Sequence, residues 1–132
     1  MADLLAFARH EFRLAAPHGR AGAGTLRDHL RAVERQTGRT PAGLRGPRRP
    51  AGTDALWRAF LDLHTQRGHD GGEPLPLAWR DVEAWCALRR VRLRPVDLDA
   101  LRLLDREYLA SRAGAAAAPD PAGGGDDDWS RD

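Results

Sequence analysis

The stretch from Leu75 to Leu109, LPLAWRDVEAWCALRRVRLRPVDLDALRLLDREYL, constrains this chain most, because in it two helical apolar repeats meet across an arginine-rich connection. In the first repeat Trp79, Val82, Trp85 or Cys86, and Leu88 or Arg89 recur at helical spacing. In the second, Leu98, Leu101, Leu104 or Asp105, and Tyr108 do so, with Leu103 and Leu109 widening the face. Asp81, Glu83, Asp97 and Asp99 stand near the starts and Arg89 and Arg90 at the first end, as the helix dipole favours. Pro95 fits the first turn of the second helix, where its missing amide has no partner to lose. Two short helices cannot cover each other's stripes alone, so the remaining sequence has to supply further helical surface.

Two upstream segments do so. TLRDHLRAVERQTGR opens with Thr25 as a cap and Asp28 at the capping-box position, and closes at Gly38 with Pro41 just beyond. Its apolar face is Leu26, Leu30 and Val33. TDALWRAFLDLHTQR, with Thr53 as the expected cap, carries a wide stripe of Leu56, Trp57, Phe60, Leu61 and His64, of which Trp57 and Phe60 are expected in the core. A weaker stripe, Leu5, Ala8, Phe12 and Ala15, runs through residues 2–16 and is cut off by PHGRAGAG, which reads as a flexible joint. The segments TPAGLRGPRRPAG and GHDGGEPLP read as a loop without regular structure and a glycine turn. From Gly114 the Ala-, Gly-, Pro- and Asp-rich end cannot bury enough apolar surface to fold. Trp129 beside Asp126–Asp128 reads as a chance feature of that end rather than a short linear motif. The expected fold is all-α: a small bundle of three to four short helices over residues 25–113, with an appendage and joint at 1–24 and a disordered acidic tail at 114–132.

Composition narrows the function classes. All 21 basic residues are arginine, and residues 120–132 hold five Asp against one Arg, so the tail opposes a mildly basic body. The single cysteine, Cys86, rules out an internal disulfide, and on a packed helix it is expected to be a buried, inert thiol. No apolar run approaches the ~20 residues that span a bilayer, and the start lacks a signal-peptide pattern, so a soluble cytoplasmic protein is expected. His64 and His69, with Asp62 and Asp70 nearby, match no compact zinc spacing. No phosphate loop, nucleophile turn or paired-carboxylate helix is present, so no catalytic, cofactor or metal residues are assigned and an enzyme is not expected.

The pair of helices around Arg89, Arg90, Arg92 and Arg94 also admits a helix-turn-helix reading, as a small DNA-binding regulator. Asp97 and Asp99 argue against it, because they would stand where a recognition helix meets a polyanion.

The order and spacing of the motifs resemble those of phage and prophage tail assembly chaperones. The resemblance rests on ERQTGR at Glu34–Arg39; Leu56, Trp57, Phe60 and Leu63; Pro76, Trp79, Val82 and Trp85; and Leu104, Asp105, Tyr108 and Leu109. It covers about residues 25–112. Ala78 departs from the pattern, in which Ser or Thr often precedes the tryptophan, and this weakens that helix start by ~1 kcal/mol. The resemblance implies a non-enzymatic factor for tail morphogenesis, absent from the mature virion, whose partners are the tape-measure protein and the major tail protein. It also implies Trp57, Phe60, Trp79, Trp85 and Tyr108 as candidate partner-binding residues, provided that they are exposed.

Overall fold

The computed structural model describes residues 1–117. Five helices follow one another: α1 (Ala2–Ala15), α2 (Leu26–Thr37), α3 (Asp54–Thr65), α4 (Trp79–Arg89) and α5 (Pro95–Ala117). Between α3 and α4 lies a minimal hairpin of β1 (His69–Asp70) and β2 (Glu73–Pro74), and a single 3-10 turn, Ala42–Leu44, interrupts the loop after α2. No helix of the described residues is long and apolar enough to cross a membrane.

The local signals that set these boundaries are mostly the expected ones. Thr25 and Asp28 form a complete capping box: the Thr25 N–H donates to Asp28 Oδ2 at 2.9 Å, and the Asp28 N–H donates to Thr25 Oγ1 at 3.3 Å. The Thr25 N–H, and the Thr25 hydroxyl that donates to the same Oδ2 at 3.0 Å, hold the Asp28 carboxyl below its usual range. Gly38 closes α2 in the left-handed conformation, φ 70°. Gly71 and Gly72, at φ 57° and 86°, are the two central residues of the hairpin, the geometry of a type I′ turn. Thr53 departs from expectation: its hydroxyl donates to the Pro50 carbonyl at 2.6 Å and does not cap α3. α5 runs through Gly114–Ala117, where the sequence suggested disorder, because an alanine run continues a helix at minimal entropic cost. The rest of the acidic tail and Trp129 lie outside the described residues.

The bundle is assembled around α1, and here the expectation of an appendage fails. Leu4, Ala8 and Phe12 of α1 share one core with Trp57, Phe60 and Leu63 of α3, Val82 of α4, and Leu101 and Leu104 of α5. Arg9 clamps Glu107 of α5 through two bonds of 2.8 and 2.7 Å, and Arg27 of α2 holds Glu11 at 2.6 Å. The joint is also ordered: Leu26 N–H donates to Ala16 O at 3.0 Å, His18 N–H donates to Gly24 O at 3.0 Å, and Pro17 bridges Thr25. A loop this short costs little to close, whereas Phe12 gains a site among the rings of Trp57, Phe60 and Tyr108 at centroid distances of 5.5–6.0 Å. The apolar stripe is set by Leu4 rather than Leu5, and Ala15 is exposed. α2, by contrast, buries no residue fully; Leu26, Leu30 and Val33 are half-covered.

Phe12 therefore tests how α1 is used. Phe12→Ala is expected to lower the unfolding free energy by about 3–5 kcal/mol in urea titrations. An undocked appendage would give a change within about 0.5 kcal/mol.

Candidate partner-binding surface

The surface around α4 is positioned by a buried ion pair. After α3 the chain turns sharply, with Gln66 N–H on Leu63 O and Arg67 N–H on His64 O, each at 3.1 Å. That turn carries the Arg67 side chain inward, where it is 1% exposed. Its Nε donates to His64 Nδ1 at 3.0 Å, and its Nη1 donates to the Leu75 carbonyl at 2.8 Å. The same Nη1 lies 2.6 Å from Asp105 Oδ1, an ion pair rather than an aligned hydrogen bond, and Nη2 has no acceptor. The guanidinium carbon sits 4.6 Å from the centroid of the Tyr108 ring. Asp105, whose side chain is 9% exposed, uses Oδ2 to accept from the Leu77 N–H at 3.0 Å. One charge pair thus joins the end of α3, the extended chain at 75–77 and the middle of α5.

The segment held in this way delivers α4. Ala78, extended at φ −85° and ψ 142°, leaves the helix start without a side-chain cap. A second tie comes from Asp62 of α3, whose Oδ2 accepts from Trp85 Nε1 at 3.3 Å and Arg89 Nη2 at 2.9 Å. Between these ties α4 buries only Val82 completely. Trp85 and Cys86 are half-buried, so the cysteine is not the buried thiol expected, and Leu88 points to solvent. α4 ends at Arg90 in the left-handed conformation, φ 54°, which a side chain adopts at a cost of about 1–2 kcal/mol.

Trp79 stands at the exposed edge of this helix, 49% accessible, with the Arg102 guanidinium carbon 5.0 Å from the centroid of its ring. Two open grooves flank it. One, of about 300 Å³, runs between α4 and α5 over Leu77, Val82, Leu101 and Leu109, with Arg102 and Arg106 on its wall. The other, of about 330 Å³, runs over Cys86, Val91, Leu93 and Leu98. Both share Trp79 and Val82.

The five candidate residues therefore separate by location. Trp57 and Phe60 are core residues, stacked at 5.6 Å and 7% and 0% exposed. Tyr108 is sandwiched among Phe12, His64 and Arg67. Trp85 lies half-covered against Asp62, and Trp79 alone of the five is exposed. Arg67 and Asp105 were not foreseen as a unit. A carboxylate one residue past Leu104 on an apolar face was the available signal; nothing local marks Arg67.

Among the described residues no three His, Cys, Asp or Glu side chains gather as a metal site. Comparison with known proteins gives a match to a family described as Phage tail assembly chaperone over residues 33–110, more than half of the 132. The chain belongs to this family of phage tail assembly chaperones. No curated protein and no solved structure matches it. The family region holds Arg67, Asp105, Trp79 and the residues of both grooves, whereas α1 lies wholly outside it. In this chaperone the Asp105 and Tyr108 of the L-D-x-x-Y-L motif are structural: one neutralises Arg67 and the other supports it with a ring.

Two outcomes follow from the pair. Asp105→Ala is expected to cost about 3–5 kcal/mol in denaturant unfolding, because Arg67 is left as an uncompensated buried charge. The double variant Arg67→Met/Asp105→Leu is expected to recover most of that loss. His64 adds a pH dependence. Burial pushes its imidazole below the ordinary value of 6.5, the Arg67 cation and His69 add to that, and Asp105 opposes it. The unfolded chain therefore binds the proton first as pH falls. The stability contribution is complete above about pH 6.5 and is lost progressively as pH drops from there to the depressed folded value. Thermal melts between pH 7.5 and 5 are expected to show this loss, and His64→Gln, which keeps an acceptor for Arg67 but does not titrate, is expected to flatten it.

Proposed function

We propose that this protein is a non-enzymatic assembly factor that holds apolar helical segments of the tape-measure protein, and engages the major tail protein, while the phage tail is built. In this reading it acts in the host cytoplasm and does not remain in the virion. The observation that carries the proposal is the half-exposed Trp79 between two open apolar grooves, on a helix that buries only one of its own side chains. Such a surface suits an amphipathic helix laid into a groove, with a tryptophan as its central anchor. Trp85, through Asp62, would tie α4 to α3, while Trp57, Phe60 and Tyr108 pack in and against the core.

The DNA-binding reading has less support from the geometry. Arg94 is committed to Asp97 through Nε and Nη2, both at 3.1 Å, and its own N–H donates to the same carboxylate at 2.9 Å. These bonds hold the Asp97 carboxyl below its usual range, and they spend the Arg94 cation on Asp97 rather than leaving it for a phosphate.

Co-expression with a fragment of the tape-measure protein tests the proposal. The wild-type chain is expected to keep the fragment soluble and to co-purify with it. Trp79→Ala is expected to lose binding by about thirtyfold, a hot-spot loss of ~2 kcal/mol, with its melting temperature nearly unchanged. A fragment that stays insoluble and unbound, or is held equally by both chains, would sink the idea. Duplex DNA shifted at low salt would instead support the regulator.

A further inference from the structure

The α4–α5 groove carries two arginines on its wall. Arg102 and Arg106 stand one helical turn apart on its wall, and among the described residues neither has a carboxylate partner. The groove floor is apolar and the Trp79 ring borders it. The same chain contains the complementary sequence: Asp126, Asp127 and Asp128 followed directly by Trp129. We infer that the Asp126–Trp129 segment of this chain docks in the groove between α4 and α5, with its aspartates on Arg102 and Arg106 and Trp129 on the apolar floor beside Trp79.

The chain length between the two suits this pairing. α5 rises about 1.5 Å per residue, so Arg106 and Arg102 lie about 17 and 23 Å back from Ala117. Trp129 is twelve residues beyond Ala117, and twelve residues of chain reach at most about 40 Å, enough to return to either arginine. Charge-assisted carboxylate–guanidinium bonds supply the specificity.

The larger cleft between α1, α3 and α5, about 660 Å³, is a poorer match. It begins at Ala115, far closer than twelve residues of chain need; its Arg9 and Arg27 are taken by Glu107 and Glu11, its Arg13 donates to the Gly43 carbonyl at 3.4 Å, and Arg112 is its one arginine without a partner among the described residues, against two in the groove. The inference does not depend on which tail protein binds at Trp79; any partner using this groove would have to displace the segment.

The test uses the full chain with Cys86→Ala and a nitroxide on Ser130→Cys. Amide signals of Leu77, Trp79, Arg102 and Arg106 are expected to broaden selectively. The broadening is expected to disappear in Arg102→Gln/Arg106→Gln and in 1 M salt, where the Debye length is about 3 Å. Trp129→Ala, without label, is expected to shift the Trp79 indole signal. Broadening centred on Arg13 and Arg112, or spread evenly over the bundle, would overturn the inference. So would broadening of an isotope-labelled, spin-free copy mixed with a spin-labelled one, since the groove would then hold a second chain's segment.

Discussion

The ion pair between Arg67 and Asp105 is the interaction from which the architecture follows. Buried pairs are seldom the source of a fold's stability, because desolvation opposes most of the Coulomb gain. What this pair supplies is position. Through one guanidinium and one carboxylate it fixes the end of α3, the carbonyl of Leu75, the amide of Leu77 and the third turn of α5 relative to each other. A hydrophobic pair of equal volume could fill the space, but it could not pin both ends of an extended segment that has no sheet to join. The approach of α4 to the bundle is decided there.

α4 itself is held lightly. Its start is uncapped, its end is closed by a non-glycine residue at positive φ, and between them one side chain is fully buried. Elements with few buried contacts open first in a native ensemble. The helix bearing the exposed tryptophan is thus also the one best able to shift as a partner arrives, while the ring-packed core of Phe12, Trp57 and Phe60 stays fixed behind it. Membership in the tail assembly chaperone family gives this arrangement its context.

What could be read from the chain, and what could not, divides along a physical line. Signals confined to a few neighbouring residues were legible: the Thr25–Asp28 box, the Gly38 stop, the Gly71–Gly72 turn and Pro95 opening α5. Periodicity also placed Trp57 and Phe60 in the core and Leu104 or Asp105 on the apolar face of α5, and all four are buried. Features settled by distant parts of the chain were not legible. Arg67 sits in a turn and finds its counter-charge only when α5 is packed, so nothing beside it in sequence announces burial. Residues 1–16 read as an appendage because their stripe is weak and a glycine-rich joint follows; the rings that cover Phe12 come from α3 and α5. Thr53 looked like a cap but met the Pro50 carbonyl first. Of the candidate anchors, only the degree of exposure could choose, and helical spacing does not report which side of α4 the bundle leaves open.

The pairing of α1 with α5 also has a bearing on time. Arg9 and Glu107 are 98 residues apart. At about 5–20 residues per second of synthesis, roughly 5–20 s separate the emergence of one from that of the other. Throughout that interval Leu4, Ala8 and Phe12 have no α5 to cover them. Only with α5, the last helix made among the described residues, is the cover over these side chains complete.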